Sequence, residues 1–300
     1  MITIGTRGSP LALVQARAVA DMLAAGRSGR RCEIVTITTE GDRMTKTALW
    51  EIGGKGLFVK EIETALLERR IDLAVHSMKD MPQEIPAGLT IGAVPAREDV
   101  RDVLVTRGPI EGIAQIPTGL VIGTSSLRRR AQILGLRPDL AVSPLRGNVG
   151  TRLRKLSDNE YGGVILAAAG MRRLGIEAEH VVALAPENFI PAAGQGALAL
   201  EVRCGEEELV SHLDDENTRR AVFSERAFVE RLGASCRSAV GAWARVEGER
   251  LTLTGRVLTP DGDRVIEGER TGNARDGYEI GRALADEFLN RGAHALLEEE

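Results

Sequence analysis

Short apolar strands alternate with amphipathic helices through the first two thirds of the chain. Ile2 begins a strand pattern, and apolar residues recur at helical spacing from Leu57 to Glu68. Runs of apolar residues at 71–76 and 163–168 predict buried strands. Because strands that alternate with helices are joined by crossover connections, the pattern predicts parallel sheets with helices on both faces.

Two predicted strand-to-helix turns start almost identically. Ile4–Ser9 and Ile122–Ser126 both begin Ile-Gly-Thr, and helices are predicted from Pro10 and from Leu127. Hydroxyls and unpaired amide groups at a helix N-terminus bind anions, since the macrodipole favours negative charge there. Ser and Thr also simply cap helices at such turns, and that alternative stays open. The repetition favours two similar lobes, each with an anion site.

The pattern changes from about residue 218. A helix is followed by alternating strands at 239–246, 250–258 and 264–269 and by a last helix, which predicts a small antiparallel sheet covered by helices. The fold class is therefore α/β, with two similar doubly wound lobes and a small C-terminal α+β domain. The expected divisions are 1–96 with 195–215 for the first lobe, 97–194 for the second, and 216–300 for the C-terminal domain. Ligands of such sheets bind beyond the carboxyl ends of the strands, so the site is expected in a cleft between the lobes.

The composition is that of a globular protein: 43% of the 300 residues are hydrophobic and 27% are charged. A formal net charge of −4 argues against general nucleic-acid binding. No apolar run approaches the roughly 18 residues of a membrane span, and Ile2 starts a strand where a signal peptide would need a basic and then apolar leader. We expect a cytoplasmic monomer that binds neither nucleic acid nor membrane. Three cysteines and four histidines lack metal-ligand spacing, so no metal site is indicated.

Asp80 directly follows the buried strand 71–76. A carboxylate at the end of such a strand lies at the expected cleft, where partial desolvation can raise its pKa toward a useful acid–base value. A helix cap or a salt bridge with Lys79 is the alternative. His76 is expected to be a hydrogen-bonded histidine of the core.

Arginines are concentrated in the second lobe. Those within one turn of a glycine-rich helix start are Arg128, Arg129, Arg146 and Arg152. Guanidinium groups bind carboxylates bidentately, so the ligand should carry several carboxylates or phosphates. Solvated positions on helix faces are expected for Arg130, Arg154 and Arg172.

Cys236 lies in a loop of small residues, next to Arg237. That setting exposes a thiol and favours its thiolate. Cys32 and Cys204 are predicted to pack as small apolar groups in and after strands. No histidine signature accompanies Cys236, so the sequence does not indicate a cysteine hydrolase.

Four motifs stand out along the chain: Gly53–Phe58, His76–Pro82, Gly123–Arg129 and Leu145–Arg152. Together they resemble the porphobilinogen deaminase, or hydroxymethylbilane synthase, family, and the similarity runs in the same order from Ile2 to the end. The resemblance implies a three-domain transferase that condenses four porphobilinogen molecules head to tail. The product would be the linear hydroxymethylbilane of haem and related tetrapyrrole synthesis, with release of ammonia.

The resemblance also implies the site, which would need no metal. A dipyrromethane would be joined by a thioether to Cys236, and Asp80 would be the catalytic acid and base. The residues implied to hold the cofactor are Ser9, Lys79, Thr124, Ser125, Ser126, Arg128, Arg129, Arg146 and Gly147. Those implied to hold the substrate are Arg7, Lys55, Phe58, Arg152, Arg173 and Gln195. Each pyrrole brings two carboxylates, so a growing chain needs fixed cations.

Two other classes remain as alternatives. A two-lobed solute-binding protein would share the clamshell of periplasmic binding proteins, but the Asp80 motif, the third domain and the lack of a leader count against it. A ligand-sensing regulator would want a DNA-binding helix pair, which we do not find. The chain departs from the family pattern at Glu51, where many relatives have lysine, and at 237–239 after the cysteine.

Overall fold

The chain divides into two compact units. The computed structural model describes residues 1–26, 31–43, 59–235 and 238–298. Unit 1 consists of Met1–Glu98 and Ala197–Arg219, and unit 2 of Asp99–Gly196 and Arg220–Glu300. Unit 2 holds both the predicted second lobe and most of the C-terminal segment, so the three-domain division stays a prediction.

Strands and helices alternate through both units. The first elements are β1 (Ile2–Thr6), α1 (Pro10–Ala25), β2 (Cys32–Thr36), α2 (Glu40–Arg43), α3 (Lys60–Leu67), β3 (Leu73–Ser77) and β4 (Leu89–Ala93). They are followed by β5 (Asp102–Thr106), β6 (Val121–Gly123), α4 (Leu127–Leu136), β7 (Ala141–Ser143), α5 (Val149–Ser157), β8 (Gly163–Ala167), α6 (Ala168–Arg173) and β9 (Val181–Leu184). The last are β10 (Leu198–Arg203), α7 (Glu216–Arg231), β11 (Val240–Glu247), β12 (Arg250–Leu258), β13 (Val265–Asn273), α8 (Gly277–Asn290) and α9 (Ala293–Leu297).

The two α/β sheets have the same spatial order of strands. The first sheet runs β2-β1-β3-β10-β4 and the second β7-β6-β8-β5-β9. In each, the first three strands are parallel, while the fourth is antiparallel to both of its neighbours. The prediction of two similar α/β lobes is confirmed. The prediction of parallel sheets holds for the first three strands of each sheet and is wrong for β5 and β10. Each of these two strands enters its sheet from the other unit and needs no crossover helix.

Helices cover both faces of the first sheet. Val75 packs with Val19 of α1 on one face, whereas Ala74 packs with Leu66 of α3 on the other. Successive strand residues point to opposite faces, so the continuous apolar run of β3 serves both helices. This arrangement leaves the carboxyl ends of β1 and β3 open for polar residues.

The C-terminal part is a three-stranded antiparallel sheet, β11-β12-β13, with α7 and α8 packed in one core. Phe228 and Phe288 meet edge to face, with ring centroids 5.1 Å apart. The predicted α+β character is confirmed, although β13 extends beyond the predicted strand and α9 was not predicted. Among the described helices, none combines the length and the apolar character that a bilayer crossing requires.

Candidate active site

A small pocket opens in unit 1 at the carboxyl ends of β1 and β3. Its lining includes Arg7, Ser9, Gln15, His76 and Asp80. Neighbouring parallel strands end at the same edge of a sheet, so the residues that follow β1 and β3 meet there. The fold thereby brings together three residues predicted for three different tasks: substrate binding, cofactor binding and acid–base chemistry.

Asp80 ends a 3-10 turn that directly follows β3. Met78 and Met81, on either side, are buried, and the Met78 N–H donates to the carbonyl oxygen of Ala197 at 3.0 Å. These contacts hold the backbone, while the Asp80 side chain is exposed. The partial desolvation expected for Asp80 is therefore not provided by the described residues. Lys79 lies in the same turn and is partly buried.

Arg7 is oriented by Asp42 of α2, a residue that the sequence did not single out. Arg7 Nη2 and Nε donate to Asp42 Oδ1 at 2.5 and 3.1 Å, and Thr39 Oγ1 donates to Asp42 Oδ2 at 2.9 Å. Burial raises the pKa of Asp42, but the hydrogen bonds from Arg7 and Thr39 outweigh it and leave that pKa below its ordinary value. Arg7 therefore lines the pocket with the Nε–Nη2 edge of its guanidinium group bound to Asp42.

The second Ile-Gly-Thr turn joins β6 to α4 in unit 2. The hydroxyl oxygen of Ser126 accepts a hydrogen bond from the first turn of α4, as that of Ser9 does for α1. Thr124 Oγ1 accepts from the Ser126 N–H at 3.2 Å, and Ser125 Oγ donates to a backbone carbonyl at 2.8 Å. Helix capping is thus observed at both turns, and anion binding there stays a prediction.

Asp102, the first residue of β5, is fully buried and holds three of the predicted site residues. Its Oδ2 accepts from Arg128 Nη1 at 2.8 Å, and its Oδ1 accepts from Arg129 Nη2 at 2.6 Å and from Gln195 Nε2 at 3.0 Å. Burial raises the pKa of Asp102, but the two guanidinium charges outweigh it and hold that pKa well below its usual range. The sequence does offer one indication of this role, because an acidic residue at the start of the apolar run 103–105 needs a buried partner.

Arg128 and Arg129 differ in how many donors they use within the protein. Arg129 donates from Nε and Nη2 to Asp102 and from Nη1 to the carbonyl oxygen of Ile165. Within the described parts of the chain, Arg128 donates from Nη1 alone, to Asp102 and to the carbonyl oxygen of Ile190. Arg128 therefore keeps more donor capacity for a ligand than Arg129 does. Carboxylate binding by either residue stays a prediction.

Arg146 and Gly147 form a second polar cluster of unit 2, at the start of α5. Gly147 has φ +114°, and a Cβ atom there would lie 2.6 Å from Thr151 Cγ2, so only glycine fits. Arg152 Nε donates to the Gly147 carbonyl oxygen at 2.8 Å. Arg146 Nη2 is buried and has no hydrogen-bond partner among the described residues. A buried guanidinium nitrogen without an acceptor is costly, so this cluster fits an anionic group such as a carboxylate.

The remaining candidates have varied settings. Arg173 Nη2 donates to the carbonyl oxygen of Gly196 at 2.7 Å. Arg130, Arg154 and Arg172 are exposed, as expected.

His76 is buried with Nε2 3.0 Å from Glu201 Oε2, which confirms a core histidine. Cys204 is exposed, so its predicted packing is wrong: the chain turns outward directly after β10. Outside the described residues lie Glu51, Lys55, Phe58, Cys236 and Arg237.

Comparison with known families decides the identity. The family model described as "Porphobilinogen deaminase, dipyromethane cofactor binding domain" matches residues 2–211. The chain belongs to the porphobilinogen deaminase family. A second model of this family, "Porphobilinogen deaminase, C-terminal domain", matches residues 220–290. The resemblance seen in the motifs is confirmed, together with the transferase class and the dipyrromethane cofactor.

Curated members of the porphobilinogen deaminase family match along their whole length. The porphobilinogen deaminase of Syntrophobacter fumaroxidans is 47% identical over 302 residues, which cover 100% of this chain and 97% of that protein. That of Roseiflexus castenholzii is 48% identical over 299 residues, covering 99% and 98%. A solved structure, the L-cystine solute receptor of Neisseria gonorrhoeae, is 14% identical with a TM-score of 0.39, covering 79% of this chain and 94% of the receptor.

Proposed function

We propose that this chain condenses four porphobilinogen molecules into hydroxymethylbilane, with release of ammonia, on a dipyrromethane that it carries covalently. The observation that carries this proposal is the pocket of unit 1, which is lined by both the Arg7 cation and the exposed Asp80 carboxylate. Porphobilinogen combines two carboxylates with an aminomethyl group. It therefore requires a fixed cation for the acids and a proton donor for the leaving amine.

Asp80 serves as acid and then as base. Its carboxyl group donates a proton to the substrate nitrogen, the carbon–nitrogen bond breaks with both electrons on nitrogen, and ammonia leaves. The Asp80 carboxylate then lies beside the positive charge left on the substrate methylene and ring, which lowers the energy of that cation. Once the new carbon–carbon bond has formed, the same carboxylate takes the proton released from the pyrrole α-carbon. Asp80 is thereby restored for the next condensation.

The cofactor is proposed to be held by polar and cationic residues. When bound, the dipyrromethane supplies the free pyrrole position to which the first substrate is joined. The residues that would hold it are Ser9, Lys79, Thr124, Ser125, Ser126, Arg128, Arg129, Arg146 and Gly147. The proposed substrate contacts are Arg7, Lys55, Phe58, Arg152, Arg173 and Gln195. We further propose a cytoplasmic monomer that uses no metal. It is also proposed to bind no nucleic acid, which the formal net charge of −4 supports.

Intact mass of the purified protein tests the covalent attachment. We expect an added mass equal to two linked pyrrole units, localised to Cys236 by peptide mapping. The addition should be absent from Cys236→Ser and present in Cys204→Ser, the control with an exposed thiol that the proposal does not use. An active enzyme without the added mass would contradict the proposed attachment.

Replacing Arg146 by glutamine tests the carboxylate site. The loss of one charge-assisted hydrogen bond should raise KM for porphobilinogen, or weaken cofactor retention, by about 10- to 100-fold. Stability of the cofactor-free protein should not fall, because Arg146 Nη2 has no partner to lose among the described residues. Arg154→Gln, an exposed arginine of α5, is the matched control and should behave as wild type. Unchanged KM and cofactor content in Arg146→Gln would remove Arg146 from the site.

A further inference from the structure

Three buried titratable side chains lie close together in unit 1, and one of them, His76, lines the pocket. Glu63 lies on α3, His76 on β3 and Glu201 on β10, and their exposed fractions are 7%, 6% and 0%. His76 Nε2 is 3.0 Å from Glu201 Oε2. Glu63 Oε1 and Glu201 Oε1 are both buried and lack a hydrogen-bond partner among the described residues. The proposed mechanism uses none of these groups.

Sheet register explains why these groups share one side of the sheet. In the β3–β10 pair, Ala199 lies opposite His76 and Glu201 lies opposite Ala74. His76 and Glu201 are therefore diagonal neighbours on one face, because alternate strand residues point the same way. Ala74 belongs to the apolar cluster packed under α3, so this is the face on which Glu63 lies.

Ionisation of both Glu63 and Glu201 is energetically unfavourable in this cluster. Burial without a hydrogen-bond donor disfavours the ionised form of a carboxyl group, and two such carboxylates also repel each other. Burial, and next the charge of Glu201, raise the pKa of Glu63 to about 7, while His76 opposes the shift. Around neutral pH, the protonated and ionised forms of Glu63 are therefore both populated.

No other charged group of the described residues offers Glu63 a partner. The helix packs against β1, β3, β4 and β10, of which β1 and β4 carry no ionisable side chain. On β10, Arg203 Nη1 donates to the carbonyl oxygens of Leu66 and Ile71, and Nη2 pairs with Glu206 at 2.7 Å. The other charged residues of α3 and its C-cap are Lys60, Glu61 and Glu68. Glu61 Oε1 accepts from the Glu40 N–H, and Glu68 pairs with Arg70.

His76 connects this cluster to the substrate pocket, since it lines that pocket together with Arg7 and Asp80. We propose that Glu63 is a positioning residue for substrate binding: protonated, it adds no charge beside the His76–Glu201 contact, and ionised, it adds a negative charge next to a side chain that lines the pocket. The substrate carboxylates must enter against that charge. The inference rests on the proposed function, because it takes porphobilinogen as the anionic ligand of the pocket.

Steady-state kinetics of the cofactor-loaded enzyme between pH 6 and 8.5 test the inference. KM of the wild type should rise with pH by about 3- to 10-fold more than KM of Glu63→Gln, which cannot ionise. The ratio of the two kcat values should stay constant, because Glu63 does not touch the reacting atoms. Glu68→Gln, an exposed carboxylate at the end of the same helix, should follow the wild type. Parallel KM profiles for wild type and Glu63→Gln would overturn the inference. A wild type that forms no hydroxymethylbilane would instead refute the proposed function.

Two measurements do not depend on turnover. A carboxyl whose pKa is raised on folding contributes stability that is present below its unfolded pKa and lost as pH rises through the folded value. In thermal unfolding, the stability of Glu63→Gln relative to that of the wild type should therefore increase from about pH 4.5 to 7.

In wild-type protein labelled at the glutamate δ-carbon, one resonance should titrate near pH 7, and it should be missing from Glu63→Gln. If that variant does not fold, the absence of any wild-type resonance titrating above pH 6 overturns the inference.

Discussion

Replacing Asp80 by alanine is expected to lower kcat by about 10²- to 10⁴-fold while the protein stays folded. The variant loses the proton donor for the leaving amine and the negative charge that faces the developing cation. Its fold should persist, because the side chain is exposed and the turn is held by buried Met78 and Met81. The measurement is the initial rate of ammonia release, with circular dichroism melting as the test of folding.

Cofactor loading must be separated from chemistry in this experiment. Rates are therefore compared on protein whose intact mass shows the attached dipyrromethane. Asp80→Asn keeps the shape and removes the charge, so it should be as impaired as Asp80→Ala. Glu84→Ala, an exposed carboxylate four residues further on, is the matched control and should retain its turnover. Near-normal ammonia release by cofactor-loaded Asp80→Ala would remove the proposed role.

Replacing Asp102 by asparagine is expected to lower the free energy of unfolding by about 3–5 kcal/mol. The change leaves the Arg128 and Arg129 charges buried, with a neutral amide where their carboxylate was. The measurement is urea unfolding at pH 7. Asp139→Asn is the control: it removes an exposed carboxylate that pairs with Arg137 in the same unit, and its effect on the free energy of unfolding should be much smaller. Equal effects for the two variants would contradict the buried-charge account.

The pH dependence of the Asp102 contribution has a definite sign. The pKa of Asp102 is held below its ordinary value in the folded protein, so the unfolded chain binds the proton more readily. The stability that Asp102 provides is therefore present above its unfolded pKa of about 3.9 and is lost as the pH falls toward the folded value. The gap between wild type and Asp102→Asn should accordingly be constant from pH 5 to 8 and should narrow only in acid.

Local sequence patterns are enough to predict much of the first sheet and part of its pocket. Hydrophobic spacing located β3, and a carboxylate directly after a buried strand had to emerge at the sheet edge, which is where Asp80 lies. Ser9 and Ser126 stand before helices and cap them, because a hydroxyl there satisfies an otherwise unpaired amide. Such features depend on a few consecutive residues, which the sequence displays directly.

Other features depend on residues far apart in the chain. Sequence patterns do not reveal the partners of Asp42 and Asp102, because Arg7 and Arg128, to which they bind, lie 35 and 26 residues away. Glu63 escapes for the same reason, because the charge of Glu201, which acts on it, belongs to a distant strand. Exposure was also misjudged for Asp80 and Cys204, since burial is decided by what packs above a residue rather than by its own neighbours. The antiparallel placement of β5 and β10 escaped the pattern for the same reason: it follows from the passage of the chain between units.

Four features of this protein can be predicted from its amino-acid sequence without a structure: the series of strands and helices, the repeated turn, the family motifs, and the residue types able to bind carboxylates and move a proton. These follow from local periodicity and from motifs of adjacent residues. Tertiary packing sets the remaining features: Asp102 pairs with Arg128 and Arg129, and Arg146 has a buried donor without a partner among the described residues. It also places Glu63 near His76, which lines the Asp80 pocket. Ionic partners and burial are set by long-range packing, which no run of neighbouring residues encodes.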